Sequence, residues 1–594
     1  MGERHGPVRL IQVLAVMVCA VAATSCATVP DGGLVRSATI GQKGAQQDVT
    51  VQLIPPSPAP GWDPAQIVRG FLLASATFSG DHAIARKYLT PSASRAWHPG
   101  SSVSEFSEAP TATAGPPGKT ASVDVTGKQL GKISEDGQYQ AVEQGVNSHV
   151  WTAALARVRG QWRIENPPAQ LLLSKTDVDR AFRFRDLYFF DASMSVLVPD
   201  PVYVPAEAAT ADLVAHLVHA LSEGPQGWLA GAARTAFPAG TTLLGTSVAG
   251  GTATVNLGGL AATAGSQQLW QIGEQLLQTL ASAPTFPEPD VPPVQSVVLE
   301  VAGRPVHVSC ASGTPPELLL NQCQPPLPVT QGSPAYYVDH AGRVATLSGS
   351  RSDGPVAGQA GTGSVPLETI AVSLDRKNLA AVSGNALYTA SLSPNGVLTR
   401  RLTAAGLTMP SWDRDGGLWV AGRSGGQTRV WRLDGGDRPV EVGLPSDVGQ
   451  VSALRVAPDG VRVAIITGSG AGSRLWLAAI LREGTHASIG QLVPIGTDIR
   501  DFTDLTWYDT SDLLALARPA SGPVIYMVPA DGGRSRQMAT EAETVSIAAS
   551  GGSPTVAARN DGDLLQLPVA GGSIWLPAGA GQATVHGTSP VYPG

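Results

Sequence analysis

From about Ala335 to its end the chain repeats itself weakly, and this repetition limits the possible folds more than any other feature. A strand with an apolar–aromatic pair recurs as Leu387-Tyr388, Val430-Trp431, Leu475-Trp476 and Ile525-Tyr526, with Leu564-Leu565 as an aliphatic fifth copy. The intervals are 43, 45, 50 and 39 residues. Tyr337, in the pair Tyr336-Tyr337, lies 51 residues before Tyr388 and reads as a further copy. A polar turn and an apolar strand precede each of the five: Asp375 before Leu379–Val382, Asp413 before Leu418–Ala421, Asp459-Gly460 before Val461–Ile465, Asp509 before Leu513–Leu516, and Gly551-Gly552 before Val556–Ala558. Such a period holds four short strands, the pitch of a β-propeller blade, and about six blades fit. A β-sandwich with accidental spacing is the alternative.

The N-terminus carries a different signal. Arg4, His5 and Arg9 precede an apolar run, Leu10–Ala23, broken only by Gln12. A basic start, a short apolar core and small residues after it make a secretory signal, and the run falls short of the roughly 20 residues a membrane span needs. It ends in Ala23-Thr24-Ser25-Cys26, which resembles a lipobox; Ala23 stands where leucine is commoner. Cys26 is therefore the expected lipidation site, residues 1–25 the signal peptide, and two acyl chains on that thiol the expected hold on the cell membrane, at its extracytoplasmic face. Formal net charge is −7, and losing Glu3, Arg4 and Arg9 leaves the mature chain near −8. That sign argues against nucleic acid as a partner. With Cys19 removed and Cys26 lipidated, Cys310 and Cys323 remain as a pair, which outside the cytoplasm reads as a disulfide. No Cys-x-x-Cys spacing points to redox chemistry.

Residues 26–61, with Pro55, Pro56, Pro58 and Pro60 near the end, read as a lipidated flexible tether. A first α+β domain is expected over 62–168. Asp63-Pro64 starts a helix with Ile67, Val68, Phe71 and Leu72 on one face, and Asp81 caps a second with Ile84, Tyr88 and Leu89 inward. Strands follow at Ala121–Val125, Tyr139–Val142, His149–Arg157 and Gln161–Glu165. Two helices, then a sheet ending Gly160-Gln-Trp-Arg-Ile164, resemble an NTF2-like cone. A second α+β domain is expected over 183–308, with strands Leu187–Phe190 and Met194–Val198, helices Ala211–Leu221 and Gln267–Ala281, a hairpin about Gly250-Gly251, and a last strand Val294–Val301. Its phrases Leu221-Ser-Glu-Gly-Pro225, Phe237-Pro-Ala-Gly-Thr-Thr-Leu243 and Ala253-Thr-Val-Asn-Leu257 resemble the GerMN module. Residues 309–334 form a disulfide-closed linker, and 335–594 the propeller.

Three patterns look chemical and read more simply as structure. Gly422-Arg-Ser424-Gly-Gly426 matches a nucleophile elbow, but lies between two strands of one repeat rather than between a strand and a helix. Asp212, His216 and His219 share a helix whose buried stripe is Leu213, Val214, Leu217, Val218 and Leu221, which puts them on the wetter side without a third strong metal ligand. The recurring propeller aspartates stand where tight turns want a carboxylate to accept backbone N–H groups. The expectation is a non-enzyme with no catalytic residues, no cofactor and no metal.

The order of signal, lipobox, NTF2-like domain, GerMN module and propeller, together with Cys26-Ala-Thr-Val-Pro-Asp31 and the ending Gly587-Thr-Ser-Pro-Val-Tyr-Pro-Gly594, resembles the LpqB lipoprotein family across essentially the whole chain. The resemblance implies an actinobacterial envelope lipoprotein that binds the extracellular domain of a sensor histidine kinase. It implies modulation of two-component signalling of the MtrA–MtrB type in envelope homeostasis and cell division. The alternative is a lipoprotein that captures peptidoglycan fragments or another envelope molecule in the cone or the propeller mouth; an envelope hydrolase would need a nucleophile, base and orienter within reach of each other.

Overall fold

The computed structural model describes residues 55–594 except 78, 100–101, 116–119, 143–147, 207–209, 282–293, 307–316, 320–331, 436–437, 447, 485, 534, 570–573 and 580–583. Helix α1 (Pro64–Ser75) opens the first domain with a reciprocal cap: Asp63 Oδ1 accepts from Gln66 N at 2.8 Å, and Gln66 Oε1 accepts from Asp63 N at 2.9 Å. Its buried face (Ile67, Val68, Phe71, Leu72) meets Tyr88, whose phenol donates to the Pro56 carbonyl at 2.7 Å. Gly70 lets that ring approach, since a Cβ there would lie 2.5 Å from Tyr88 Cε1. In α2 (Ser79–Arg86) Asp81 sits inside the first turn and pairs with Arg86 at 2.7 Å, so it is not the expected cap; Tyr88 and Leu89 are buried just past the helix end. Helix α3 (Pro91–Ala96) is capped by Thr90.

Two four-stranded sheets cover these helices. One runs Thr111–Ala114, Ala121–Gly127, Ser148–Val158, Gln161–Ile164 and contains three of the expected strands. The other runs Tyr139–Ala141, Gln129–Ile133, Val103–Phe106, Leu171–Ser174. The last two strands are parallel, so the sheet continues past Pro168, where the sequence reading ends the domain. Helix α4 (Lys175–Ala181), capped by Ser174, then leads directly into the second domain.

That domain is built on a long antiparallel pair, Phe182–Asp191 with Leu197–Pro205, both extending beyond the segments expected from sequence. A second sheet holds the hairpin Thr241–Ala249/Thr252–Gly259, turned by Gly250 and Gly251 at φ +57° and +80°, with Ser296–Val301 parallel to its second strand. Helices α5 (Thr210–Glu223) and α6 (Ser266–Ala281) close one core through Leu213, Leu217, Leu221, Ile272, Leu276 and Leu280. Among the described residues no helix is long and apolar enough to cross a membrane.

The C-terminal region is a ring of six sheets, each a four-stranded blade, one of them with an added short strand. The innermost strands Thr369–Val372, Ser411–Trp412, Val451–Val456, Phe502–Trp507, Thr544–Ala548 and Thr588–Val591 stand side by side around the axis. The ring is closed by the chain's own end. Thr588–Val591 is the innermost strand of the first blade, pairing with Ala335–Val338, which is followed outward by Val344–Ser348 and Arg351–Pro355. This corrects one repeat assignment: the apolar–aromatic pairs of the other blades lie on third strands, but Tyr336-Tyr337 lies on a second strand. The four recurring aspartates turn the chain as expected: Asp375, Asp413, Asp459 and Asp509 each accept backbone N–H groups within their own turn, and Asp339 does the same in the first blade.

The three regions share packing. Val461 and Ala479 of the fourth blade belong to the same apolar cluster as Phe189, Leu217 and Leu276, while Trp228 bridges that cluster to the core between the fourth and fifth blades. Backbone hydrogen bonding joins the first two domains, with Tyr203 N donating to the Gly137 carbonyl at 2.7 Å.

Candidate binding sites at the propeller mouth and the domain junction

Cys26, Cys310 and Cys323 lie outside the described residues. Asp212, His216 and His219 are exposed on α5, opposite its buried stripe. Ser424 is exposed at the end of Gly417–Ser424, and Gly425 and Gly426, at φ +60° and +82°, turn the chain straight into Gln427–Asp434. The motif therefore forms a β-hairpin, not an elbow.

Two concavities stand out instead, neither anticipated residue by residue. The first is the propeller mouth, a cavity of about 330 Å³. Arg455 and Trp507 of its lining belong to a relay across three innermost strands. Arg455 pairs with Asp504 at 3.5 Å, Asp504 Oδ2 accepts from Ile547 N at 3.0 Å, and the Trp507 indole donates to the Arg455 carbonyl at 3.2 Å. Burial pushes the Asp504 carboxyl up, against the pull of Arg455. Ser411, Ser550 and Tyr592 add polar groups to the wall. The final residue bonds to the neighbouring blade, with Gly594 N donating to the Val372 carbonyl at 3.0 Å.

The second is a crevice of about 420 Å³ between the long strand pair of the second domain and the turns of the fourth and fifth blades. It is built by two loops that the fold makes for other reasons. The Asp459 turn delivers Arg462, only 1% exposed, whose Nε donates to Asp459 Oδ2 at 2.7 Å and whose guanidinium lies 5.1 Å from the Trp507 ring centre. The turn after Val524–Pro529 delivers Asp531, whose carboxylate accepts from Gly533 N at 2.6 Å. Opposite them stand Asp186 and, deeper, Asp200, one on each strand of the pair. Burial raises the carboxyls of Asp186, Asp200, Asp512 and Asp531. Asp186 rises to about 6, with Arg462 opposing and Asp512 and Asp509 adding to the rise. Asp512 also reaches about 6, with Asp509 adding and Arg536 opposing. Asp531 reaches about 7, partly offset by the Gly533 N–H. Asp200 reaches about 8, with Arg462 opposing. Chemically, Asp186, Asp512 and Asp531 give the crevice three acids that change charge near neutral pH. The sequence signals are faint: a charged residue among aromatics in Phe184-Arg-Asp-Leu-Tyr188, and an aspartate between two prolines, Pro199-Asp200-Pro201.

Known proteins fit this architecture. Residues 57–179 match the family described as the N-terminal domain of lipoprotein LpqB, 186–307 one described as sporulation and spore germination, and 342–593 the LpqB β-propeller domain. Lipoprotein LpqB of Thermobifida fusca is 31% identical over 642 aligned positions, covering 99% of each chain. Lipoprotein LpqB of Streptomyces avermitilis is 30% identical over 637, covering both chains in full. Among solved structures, TolB from Acinetobacter baumannii aligns with 50% of this chain and 83% of its own, at 17% identity and a TM-score of 0.35. Matched along its whole length by relatives named lipoprotein LpqB, and by the LpqB models for its N-terminal and propeller domains, the chain belongs to the LpqB lipoprotein family.

Proposed function

We propose that this protein is anchored through acylated Cys26 on the extracytoplasmic face of the cell membrane, where it docks on the extracellular domain of a sensor histidine kinase and biases two-component signalling of the MtrA–MtrB type. The observation that carries the reading is the joining of three domains, through shared apolar cores and backbone hydrogen bonds, to a ring closed by its own last strand. Such a body offers broad preformed surfaces, and lipid attachment confines it to the plane that holds the kinase, which raises its effective concentration there. To shift signalling it must bind the two kinase states with different affinities. The test is kinase autophosphorylation in nanodiscs with and without the lipidated protein. A change in rate that requires Cys26 supports the reading; an unchanged rate at saturating lipoprotein counts against it. A second reading, capture of an envelope molecule, is favoured by the cavity at the propeller mouth, where Ser411, Ser550 and Tyr592 set a few polar groups in a mostly apolar wall.

A further inference from the structure

The junction crevice is formally acidic. Asp179, Asp186, Asp512 and Asp531 line it against Arg183 and Arg462. Both guanidiniums are already engaged. Arg462 is held by Asp459, and Arg183 donates to the main-chain carbonyls of Asp179, Arg180 and Phe182 at 3.2, 3.1 and 2.9 Å. Asp179 has Lys175 at 3.7 Å. Among the described residues no cation stands within ion-pair distance of Asp186, Asp512 or Asp531, and Asp186 is left with the Ser511 hydroxyl.

Asp200 is 2% exposed; its Oδ2 accepts from Gln138 Nε2 at 3.3 Å, while its Oδ1 has no hydrogen-bond partner among the described residues. Asp200 lines a void of about 10 Å³ that shares Pro201, Ala530 and Asp531 with the crevice. That void is about the size of one water molecule, so Asp200 borders the crevice without lining it. The crevice walls select the kind of ligand. Phe184 and Tyr203 meet edge to face at 5.9 Å, and Pro199, Pro201 and Pro529 complete an apolar rim. Ring faces beside carboxylates attract an organic cation. A bare metal ion is a poorer match, because no group of three or more His, Cys, Asp or Glu among the described residues is placed to hold one.

We infer that the crevice between the second domain and the propeller is a binding site for an organic cation, a guanidinium or an alkylammonium group, held by Asp186, Asp512 and Asp531 against Phe184 and Tyr203. The inference stands apart from kinase docking, since the site takes a small cation whether or not the kinase binds. The experiment titrates the lipidated mature protein in nanodiscs with N-acetylarginine amide, with N-acetylcitrulline amide as its neutral isostere, with putrescine and with calcium. The expected result is saturable binding of the arginine compound, at least about tenfold weaker binding of the citrulline compound, and at least about tenfold loss in Asp531→Asn with an unchanged melting temperature. Asp186→Asn gives the same readout should Asp531→Asn fail to fold. Stronger binding of putrescine than of the arginine compound assigns the site to free amines; the reverse order assigns it to the basic side chain of a peptide. Equal binding of arginine and citrulline compounds, no saturable binding of either cation, or insensitivity to both substitutions overturns the inference, as does Asp531-dependent binding of calcium alone.

Discussion

Replacing Asp200 with asparagine tests the junction most sharply, because the change is nearly isosteric and removes one ionisable group. Its carboxyl rises from 3.8 in the unfolded chain to about 8 in the fold, first because it is buried, then because Asp136 and Asp186 lie near, with Arg462 and the Gln138 amide opposing. A raised carboxyl binds its proton more tightly in the native state, so the native state loses stability as pH climbs from about 4 to about 8 and the loss is complete above that. Forcing the group to ionise costs at most ~6 kcal/mol at about 1.4 kcal/mol per pH unit. Relaxation and water entry reduce such ceilings, which leaves a working figure of about 2–3 kcal/mol. Asp200→Asn escapes that cost. Its melting temperature at about pH 8 should exceed that of the parent by roughly 5–10 °C, and the two should converge near pH 4. Differential scanning fluorimetry across that range is the assay. Asp186, Asp512 and Asp531, raised for the same reason, keep some pH slope in the variant. Parallel profiles for parent and variant, or a less stable variant at about pH 8, would refute the reasoning.

Arg462→Met should destabilise the propeller by about 3–5 kcal/mol, because it leaves Asp459 buried beside it without its partner; the thermal transition reports the loss. Truncation before Thr588 removes the innermost strand of the first blade, and limited proteolysis should then cut within Ala335–Pro355, which the parent protects. Gly70→Ala drives a methyl into Tyr88 and should cost about 1–3 kcal/mol by thermal denaturation. Cys26→Ser should abolish the diacylglyceryl mass on the N-terminal peptide and release the protein from membranes, which intact-mass spectrometry and fractionation measure.

Much of the fold can be read from the chain where local chemistry and tertiary packing agree. Asp63-Pro64 starts a helix because the cap needs only neighbours within three residues. The propeller turns are equally local, each aspartate accepting N–H groups two to four residues on. What escapes the sequence depends on distant partners. Val103–Phe106 does not look like a buried strand, because Ser104 and Glu105 interrupt it; Glu105 is held by Tyr139 and Lys175, both far along the chain. Tyr336-Tyr337 fits the repeat but occupies another strand position, because the ring borrows its first strand from the other end of the region. Nor does any short motif announce the junction crevice, whose acids lie 352 residues apart at their extremes, Asp179 and Asp531.

Calorimetric titration of the mature protein against the purified extracellular domain of the cognate sensor kinase tests the central claim most directly. The account predicts saturable binding at micromolar or lower concentration that survives the loss of the lipid, since the anchor raises local concentration and makes no contact with the kinase. Absence of heat and of any mobility shift at several hundred micromolar, about a hundredfold beyond that range, would contradict it.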